Sequence, residues 1–342
     1  MERKPTLAFI DNIFHQKTMS SDFFRDLLRP HFEIENYWDR TSQKGPRVAV
    51  EEINKHDYVV FWQRLNPITE LGKITAKIIW VPMYDSISFD YLFWKNLSFL
   101  PIKVICFSKT IYSQCQKFGI KSIYVQYYDK PEFSEGNLET PMKNFFLWQR
   151  GPITFQIIKK VIDPLSVENF IFLSRPDPNF LQEKISSDEK NLYKIKTVEM
   201  DFQTSKTEYL NMVRQSGIFI ASRKKEGIGL GFIEAIAFGC VVVAYNEGTM
   251  NEYIKHGYNG YLFDEKTQSP LNFENINEVA ENSKRIAIDG YKQWLADSEK
   301  IPEFVLNAEQ PTRKHNLLGQ LFMLLYKIKL WQFKFRSRYF HR

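Results

Sequence analysis

Two glutamates flank a short glycine-rich stretch in the sequence EGIGLGFIE, which covers residues 226–234. Glu226 and Glu234 are eight positions apart, with glycines at positions 227, 229 and 231 between them. Glycine lets the backbone adopt a positive φ angle and lets a ligand approach the chain closely. An ionised carboxylate accepts hydrogen bonds through two oxygens, which matches a pair of adjacent hydroxyl groups. The stretch therefore has the residue types needed to bind a ligand with hydroxyl groups at both ends.

The glycine-rich stretch falls between a predicted strand and a predicted helix. The apolar run IFIASR (218–223) indicates a strand, and FIEAIAFG (232–239) indicates a short helix that ends at Gly239. Free N–H groups and a partial positive charge at the start of a helix suit a phosphate. Carboxylates on both sides of a phosphate site match a nucleotide-diphosphate sugar. A structural role stays open, since a glutamate in a first helical turn stabilises the helix dipole by ~0.3–1 kcal/mol.

The rest of the chain alternates short apolar strands with helical patterns, in two series. Strands are predicted at 6–12, 33–38, 57–63, 77–85, 103–108 and 121–128, and again at 145–150, 169–175, 193–200, 218–223 and 240–246. This alternation predicts an α/β protein with two Rossmann-like, doubly wound parallel-sheet domains facing a cleft. The polar segment 130–141 is the predicted linker. We therefore assign domains to residues 1–135 and 136–309, followed by a tail, 310–342.

Composition and charge narrow the class of protein. The chain has 342 residues and a net charge of +6, yet residues 310–342 alone carry eight Lys and Arg and no Asp or Glu. The rest of the chain is close to neutral and has no nucleic-acid-binding motif.

Cys106, Cys115 and Cys240 are too few for a disulfide framework, which predicts buried, reduced thiols. Without a secretory signal or a long apolar run, the expected location is the cytoplasm.

The tail combines basic and bulky apolar residues and allows two interpretations. One is a C-terminal helix that packs back on the domains, which we assign to 316–326. The other is a peripheral contact with the inner face of a membrane, with aromatic rings at the headgroups and Lys and Arg on anionic lipid, which we assign to 327–342. Both interpretations can hold together, each for its own segment.

The segment SRKKEGIGLGFIEAIAFGCVVVAYNEGTMNEYIKHGYNGYLFD (222–264) resembles the donor-binding core of retaining GT-B glycosyltransferases. These enzymes carry two glutamates separated by seven residues, an EAMA-like helix, a small residue and a glycine, a valine-rich strand and a final G-x-L-F-like stretch. The matching residues are Glu226, Glu234 to Ala237, Gly239, Val241 to Val243, Gly248, Glu252 and Gly260 to Phe263. The resemblance is specific over about 40 residues and extends more weakly, as topology, over most of the chain.

The resemblance implies a role for each of several residues. Glu226 would bind the transferred sugar beside the reacting carbon, and Glu234 would bind the ribose. The backbone of Gly227, Ile228, Gly229, Leu230 and Gly231 would contact the diphosphate and the sugar. Arg150, at the end of the first strand of the second domain, would neutralise the leaving diphosphate. A lysine usually follows a few residues later, where this chain has Ile153, Thr154 and Phe155. Lys224 or Lys225 would then supply the second cation, and Arg175 is a further candidate on the same edge.

The resemblance also implies a reaction. It predicts hexosyl transfer from a nucleotide-diphosphate sugar to a glycan or lipid-linked acceptor, with retention, on the face from which the leaving group departs. The sequence contains no D-x-D motif and no His/Cys cluster with ligand spacing, so we expect neither a metal nor a cofactor. The first domain would bind the acceptor. Asp85, after a predicted strand, would orient the acceptor hydroxyl or cap its own loop, and His15 is a further candidate in the first strand-to-helix turn.

Two other functions remain compatible with the sequence. A non-catalytic protein with a GT-B-like fold would bind a sugar nucleotide or a partner without turnover, and the missing lysine near 153–155 and the tyrosine at position 84 favour it slightly. A sugar-nucleotide epimerase would convert its substrate without an acceptor. Glu252 has a structural explanation, because Thr249-Met250-Asn251-Glu252 has the pattern of a capping box.

Overall fold

The computed structural model describes residues 3–133, 142–177, 180–199, 206–310 and 317–339. The chain divides into two compact units, one formed by Met1–Val125 with Ala296–Arg342 and the other by Gln126–Leu295. Residues 134–141 of the predicted linker lie outside the described residues.

The first unit contains a six-stranded, fully parallel sheet in the order β2-β1-β3-β4-β5-β6. Its strands are β1 (Thr6–Asn12), β2 (Glu33–Asp39), β3 (Tyr58–Trp62), β4 (Lys77–Val81), β5 (Ile102–Cys106) and β6 (Ser122–Tyr124). Its helices are α1 (His15–Thr18), α2 (Asp22–Leu28), α3 (Val50–Ile53), α4 (Ile68–Leu71), α5 (Tyr91–Leu97), α6 (Lys109–Lys117), α13 (Lys300–Leu306) and α14 (Leu317–Tyr339).

The second unit repeats the plan with a parallel sheet in the order β12-β11-β10-β7-β8-β9. Its strands are β7 (Asn144–Gln149), β8 (Asn169–Ser174), β9 (Ile195–Val198), β10 (Ile218–Ile220), β11 (Val241–Tyr245) and β12 (Gly260–Phe263). Its helices are α7 (Phe155–Ile158), α8 (Ser187–Leu192), α9 (Lys206–Arg214), α10 (Leu230–Ala237), α11 (Met250–Tyr253) and α12 (Ile276–Ser298). Helix α12 extends three residues beyond the division at Leu295.

Apolar runs explain why the central strands form. Every residue of β3, β5 and β11 is buried, as expected for parallel strands that are covered by helices on both faces. Cys106, Cys115 and Cys240 are buried free thiols, which confirms the prediction from the sequence. The two doubly wound parallel sheets are likewise confirmed.

The strand order reverses once in each sheet, and this reversal marks where a ligand can bind. In the second sheet the chain runs from β7 to β8 and β9, and then returns to place β10 on the other side of β7. In the first sheet it runs from β1 to β2 and then places β3 on the other side of β1. At such a point the loops after neighbouring strands leave in opposite directions and open a crevice at the carboxyl edge.

Several predicted strands end earlier in the structure, and the one predicted before Asp85 bears on a candidate site residue. We predicted a strand over 77–85, whereas β4 ends at Val81 and Tyr84–Ser86 form a 3-10 turn. Pro82 follows the strand directly and has no N–H to donate to a neighbouring strand, so the ladder cannot continue through it. Asp85 consequently lies in a turn after the strand.

The chain returns to the first unit after residue 295, although the sequence placed residues up to 309 in the second domain. Helix α13 packs on the first unit through Ile301 and Val305, both fully buried. The hydroxyl of Tyr58 donates to the carbonyl of Leu306 at 2.9 Å, and Lys103 Nζ donates to the carbonyl of Phe304 at 2.8 Å. In the part of the chain that the structure describes, no helix has the length and apolarity needed to cross a membrane.

We expect Ile301→Ala to lower the free energy of unfolding by ~2–5 kcal/mol, because it leaves a cavity where α13 contacts the first unit. Glu303→Ala, on the exposed side of the same helix, is the matched control and should change stability little. Denaturant unfolding of both variants measures the difference. Equal stabilities would show that α13 is not anchored to the first unit.

Candidate functional site

The glycine-rich stretch forms the turn between β10 and α10. Gly229 precedes the helix with a φ of 86° and a ψ of 41°, in the left-handed region. A Cβ atom at this position would lie 1.9 Å from Cε1 of Phe232. A Cβ on Gly231 would lie 3.4 Å from the Tyr209 hydroxyl. The turn therefore requires glycine at position 229. Helix α10 ends at Ala237, and Gly239, the predicted left-handed residue after it, has a φ of 82°.

Thr249 holds this turn from the neighbouring loop. Its side chain is fully buried. The hydroxyl lies 2.8 Å from the carbonyl oxygen of Glu226 and 3.0 Å from that of Gly227. The predicted capping box is wrong, because no side chain caps the start of α11. The loop after β11 thus supports the turn after β10, because the Thr249 hydroxyl donates to the carbonyl oxygens of Glu226 and Gly227.

Glu234 lies in α10 and is largely shielded from solvent. Its side chain is 15% exposed, and Oε1 is 3.1 Å from Nζ of Lys206, which is 68% exposed. Burial raises the pKa of the Glu234 carboxyl, and the charge of Lys206 offsets part of that effect. Glu226, at the other end of the motif, is half-buried. The structure describes Lys206 as the first residue of α9, directly after 200–205, which lie outside the described residues.

Two arginines and an aspartate form a cluster at the carboxyl edge of the second sheet. Nε of Arg150 is 3.3 Å from Oδ1 of Asp177, and Nη2 of Arg223 is 2.5 Å from Oδ2 of the same carboxylate. The Asp177 backbone N–H donates to the carbonyl of Arg150 at 2.8 Å. The Arg150 guanidinium also lies 4.7 Å from the ring centre of Trp148. One carboxylate thus orients two guanidinium groups and leaves a formal net charge of +1.

Stability alone gives little reason for this cluster. The three side chains are 28%, 23% and 27% exposed, and ion pairs in contact with solvent contribute only ~0–1 kcal/mol. Arg150 follows β7, Asp177 follows β8 and Arg223 follows β10, so the cluster lies where the strand order of this sheet reverses. A positive cluster at that crevice has the chemistry to bind a phosphate group.

Arg223 and Asp177 were not predicted from the sequence. The only local indication was that Arg223 and Asp177 each follow a strand within three residues. Their proximity depends on β7 lying between β8 and β10, and no short sequence motif predicts that order of strands.

The other predicted cations occupy different positions. Lys224 Nζ lies 2.7 Å from Oε1 of Glu265 and 4.8 Å from the ring centre of Tyr245, and the hydrogen bond to Glu265 raises the pKa of this lysine. Arg175 follows β8 and is half-buried, and its carbonyl accepts a hydrogen bond from Nε1 of Trp148 at 3.1 Å. Arg223, rather than Lys224, is therefore the second cation seen beside Arg150.

The first unit has its own polar groups at the carboxyl edge of its sheet. Asp85 is exposed in the turn after β4. At the end of β1, Nδ1 of His15 is 2.6 Å from Oδ1 of Asp11, whose side chain is 1% exposed. The Ser21 hydroxyl donates to the other oxygen of Asp11 at 2.5 Å. Within the described ranges, no group of three or more His, Cys, Asp and Glu side chains could hold a metal ion.

Comparison with protein families finds one match, which covers residues 181–293. This segment matches the family described as glycosyl transferases group 1. The match includes Glu226 and Glu234 and the whole of the turn between them. No curated protein is significantly similar to the chain in sequence.

Solved structures of similar fold include a glycosyltransferase and a protein in complex with UDP. The glycosyltransferase from Rickettsia africae ESF-5 has a TM-score of 0.59 and 15% identity, and the match covers 90% of this chain and 100% of that one. Anabaena Alr3699/HepE in complex with UDP has a TM-score of 0.54 and 14% identity, with 89% and 100% covered. The complex of the same protein with UDP and glucose has a TM-score of 0.52 and 15% identity, with 87% and 98% covered.

At these identities the likeness to solved structures concerns the fold. The fold is GT-B, built from two Rossmann-like units, as the sequence predicted. The similarity to glycosyl transferases of group 1 concerns residues 181–293, and the likeness of the fold extends over most of the chain.

We expect Gly229→Ala to lower the free energy of unfolding by more than Gly257→Ala does. Both glycines have a positive φ, but a Cβ at Gly257 would meet nothing within 4 Å. The control therefore reports the backbone cost alone, about 1–2 kcal/mol, while Gly229→Ala adds a collision with Phe232. Denaturant unfolding measures both, and indistinguishable values would contradict the geometry of this turn.

Proposed function

We propose that the protein is a retaining glycosyltransferase that moves a hexosyl group from a nucleotide-diphosphate sugar without a metal or a cofactor. The observation that carries this proposal is the pair of arginines on Asp177 beside the glycine turn. The arginine cluster and the glycine turn both lie at the point where the strand order of the second sheet reverses. Ligands of open α/β sheets bind at that point.

The donor would lie along the carboxyl edge of the second sheet. Anabaena Alr3699/HepE, which has a similar fold, has been solved with UDP and with UDP-glucose, so UDP-sugars are the first donors to test. In our proposal Glu234 accepts hydrogen bonds from the ribose hydroxyls, and Glu226 accepts them from the transferred sugar. The amides of residues 227–231 contact the diphosphate between them. The shielded position of Glu234 suits this role, because a carboxylate binds hydroxyls more strongly where water is excluded.

Arg150 and Arg223 would stabilise the departing diphosphate. As the bond from the anomeric carbon to the diphosphate oxygen breaks, negative charge grows on that oxygen, and fixed guanidinium groups meet it without reorganising. The acceptor hydroxyl then forms its bond to the same face of the anomeric carbon. Its proton passes to the diphosphate, so no protein carboxylate needs to become a covalent nucleophile, in contrast to retaining glycosidases.

The acceptor is assigned in this proposal to the first unit. Asp85 is exposed at the carboxyl edge of that sheet and can accept a hydrogen bond from an acceptor hydroxyl. The acceptor class that we propose is a glycan or a lipid-linked sugar.

Release of nucleoside diphosphate from a panel of UDP- and GDP-sugars tests the proposal. We expect Arg150→Ala to lower kcat about 10²- to 10³-fold, as for other groups that stabilise charge only in the transition state. Glu226→Gln should lower kcat/KM roughly 10- to 100-fold, which corresponds to a charged hydrogen bond of about 1.5–3 kcal/mol. Arg214→Ala is the matched control, since Arg214 is exposed, pairs with Glu132 and lies on α9.

Three outcomes would contradict the proposal as a whole, and a fourth would contradict its stereochemistry alone. Nucleotide binding without release from any donor would indicate a non-catalytic protein. Conversion of a sugar nucleotide without an acceptor would indicate an epimerase. If Arg150→Ala released nucleoside diphosphate as fast as Arg214→Ala, the role assigned to the arginine cluster would be wrong. Inversion at the anomeric carbon, detected by NMR of the product, would exclude the retaining mechanism while leaving sugar transfer intact.

The raised pKa of Glu234 makes donor binding depend on pH. As pH decreases, protonation of Glu234 should weaken the binding of a UDP-sugar. Because burial raises this pKa, we expect the loss of affinity to begin at a higher pH than it would with an exposed glutamate. Lys206→Met removes the charge that opposes this effect and should move the loss of affinity to still higher pH. Calorimetric titration across pH gives the measurement, and Glu234→Gln is the control, because it keeps every other titratable group of the protein and the nucleotide but lacks the titration of Glu234.

The same group affects folding stability in a defined direction. The folded state binds the Glu234 proton more tightly than the unfolded state does, so stability falls as pH rises from the unfolded pKa through the folded pKa. Glu234→Gln should remove this slope. The assigned rise in the pKa of Glu234 would be contradicted if, between the two pKa values, the free energy of unfolding increased with pH more in the wild type than in Glu234→Gln.

A further inference from the structure

Helix α14 has two apolar faces, of which one packs on the first unit and the other is largely exposed. Its residues Gly319, Phe322, Met323 and Tyr326 are half-buried, at the spacing of one helical face. The Phe322 ring lies 5.9 Å from that of Phe99, and Nδ2 of Asn96 on α5 donates to the carbonyl of Phe322 at 3.1 Å. Met323 and Tyr326 pack against the core of the first unit. This face anchors the helix.

The second face points away from the anchored one. Leu318, Leu321, Leu325 and Ile328 follow at intervals of three and four residues, which places them in one stripe. At 3.6 residues per turn the centre of this stripe lies roughly 130° around the helix from the centre of the anchored face. Their exposed fractions are 51%, 51%, 42% and 44%. Leu324 and Trp331 border the stripe and are 55% and 66% exposed. A contiguous row of large apolar side chains in water is typical of an interaction surface.

Beyond Tyr326 every described side chain of the helix is exposed. Leu330 and Phe333 are 40% and 71% exposed, and the exposed Lys327 and Lys329 lie on the two sides of the apolar stripe. Lys329 also pairs with Asp90. We call the stripe, with Lys327 and Trp331, the outer face of α14.

The charge of the C-terminal segment indicates which kind of partner can cover the outer face. Residues 310–342 contain eight Lys and Arg and no acidic residue. A second copy of the helix would bring two such segments together and repel, whereas an anionic lipid surface attracts each basic residue near it. Such a surface also accepts apolar side chains at the acyl boundary and a tryptophan at the headgroups, while Lys and Arg reach the phosphates.

We propose that α14 binds an anionic lipid bilayer in the plane of its surface, with the outer face in the headgroup region and the inner face on α5. Leu321 and Ile328 enter the acyl boundary, and Lys327 contacts lipid phosphate. This binding needs no sugar nucleotide and is independent of the proposed transfer reaction.

Vesicle sedimentation of the full-length protein tests this proposal. The probes are vesicles of phosphatidylcholine alone and vesicles of phosphatidylcholine with phosphatidylglycerol. We expect the protein to bind only the second kind, and added salt to weaken binding. Leu321→Gln/Ile328→Gln should lower the constant for partitioning of the protein onto the vesicles at least tenfold. Leu165→Gln/Leu192→Gln is the matched control, since these leucines are 89% and 58% exposed and lie in the second unit.

Circular dichroism and light scattering complete the experiment. Both variants should keep the wild-type helix content, so that a loss of binding reports the outer face and not unfolding. Equal binding by the two double variants would overturn the proposal, as would equal binding to both kinds of vesicle. A dimer that Leu321→Gln/Ile328→Gln dissociates, in the absence of vesicle binding, would assign the outer face to a second copy and would also overturn it.

Discussion

The contact of Asp177 with both Arg150 and Arg223 is the interaction on which the candidate site depends. A parallel sheet puts the carboxyl ends of all its strands on one edge, but only the reversal of strand order sets β10 beside β7. The residues after these strands then converge, and Asp177, after β8, completes the group from the other side. Because one carboxylate cannot neutralise two guanidinium groups, the cluster keeps a formal charge of +1.

The glycine turn depends on a second set of constraints, which act on the backbone. Gly229 adopts a φ that favours glycine, and the ring of Phe232 occupies the space of its absent side chain. Thr249 uses its buried hydroxyl to bind the carbonyl oxygens before the turn. The amides at the start of α10 are therefore held from two directions before any ligand arrives. Such preorganisation lets binding energy act on the ligand rather than on ordering the loop.

Much of the candidate site could be predicted from the sequence, and the remainder has a clear physical reason. Glu226, Glu234 and the glycines are neighbours along the chain, so local geometry brings them together in any strand-turn-helix unit. Arg223 and Asp177 are 46 residues apart and meet only through strand order. Lys224, adjacent to Arg223, was the more visible candidate, yet its ammonium group binds Glu265. Thr249 had the pattern of a capping residue, and its hydroxyl turned to the neighbouring loop instead.

The sequence by itself determined the two α/β units, nearly all their strands, the position of the glycine turn and the basic, apolar character of the tail. These features follow from apolar periodicity and from residues close in the chain, where short-range sterics and burial act alone. Only the tertiary structure decided which cation joins Arg150, where Thr249 donates, how far Glu234 is shielded, and that the chain after residue 295 returns to the first unit. It also decided which face of α14 remains exposed. Each of these depends on contacts between segments distant in the chain, which local preferences do not specify.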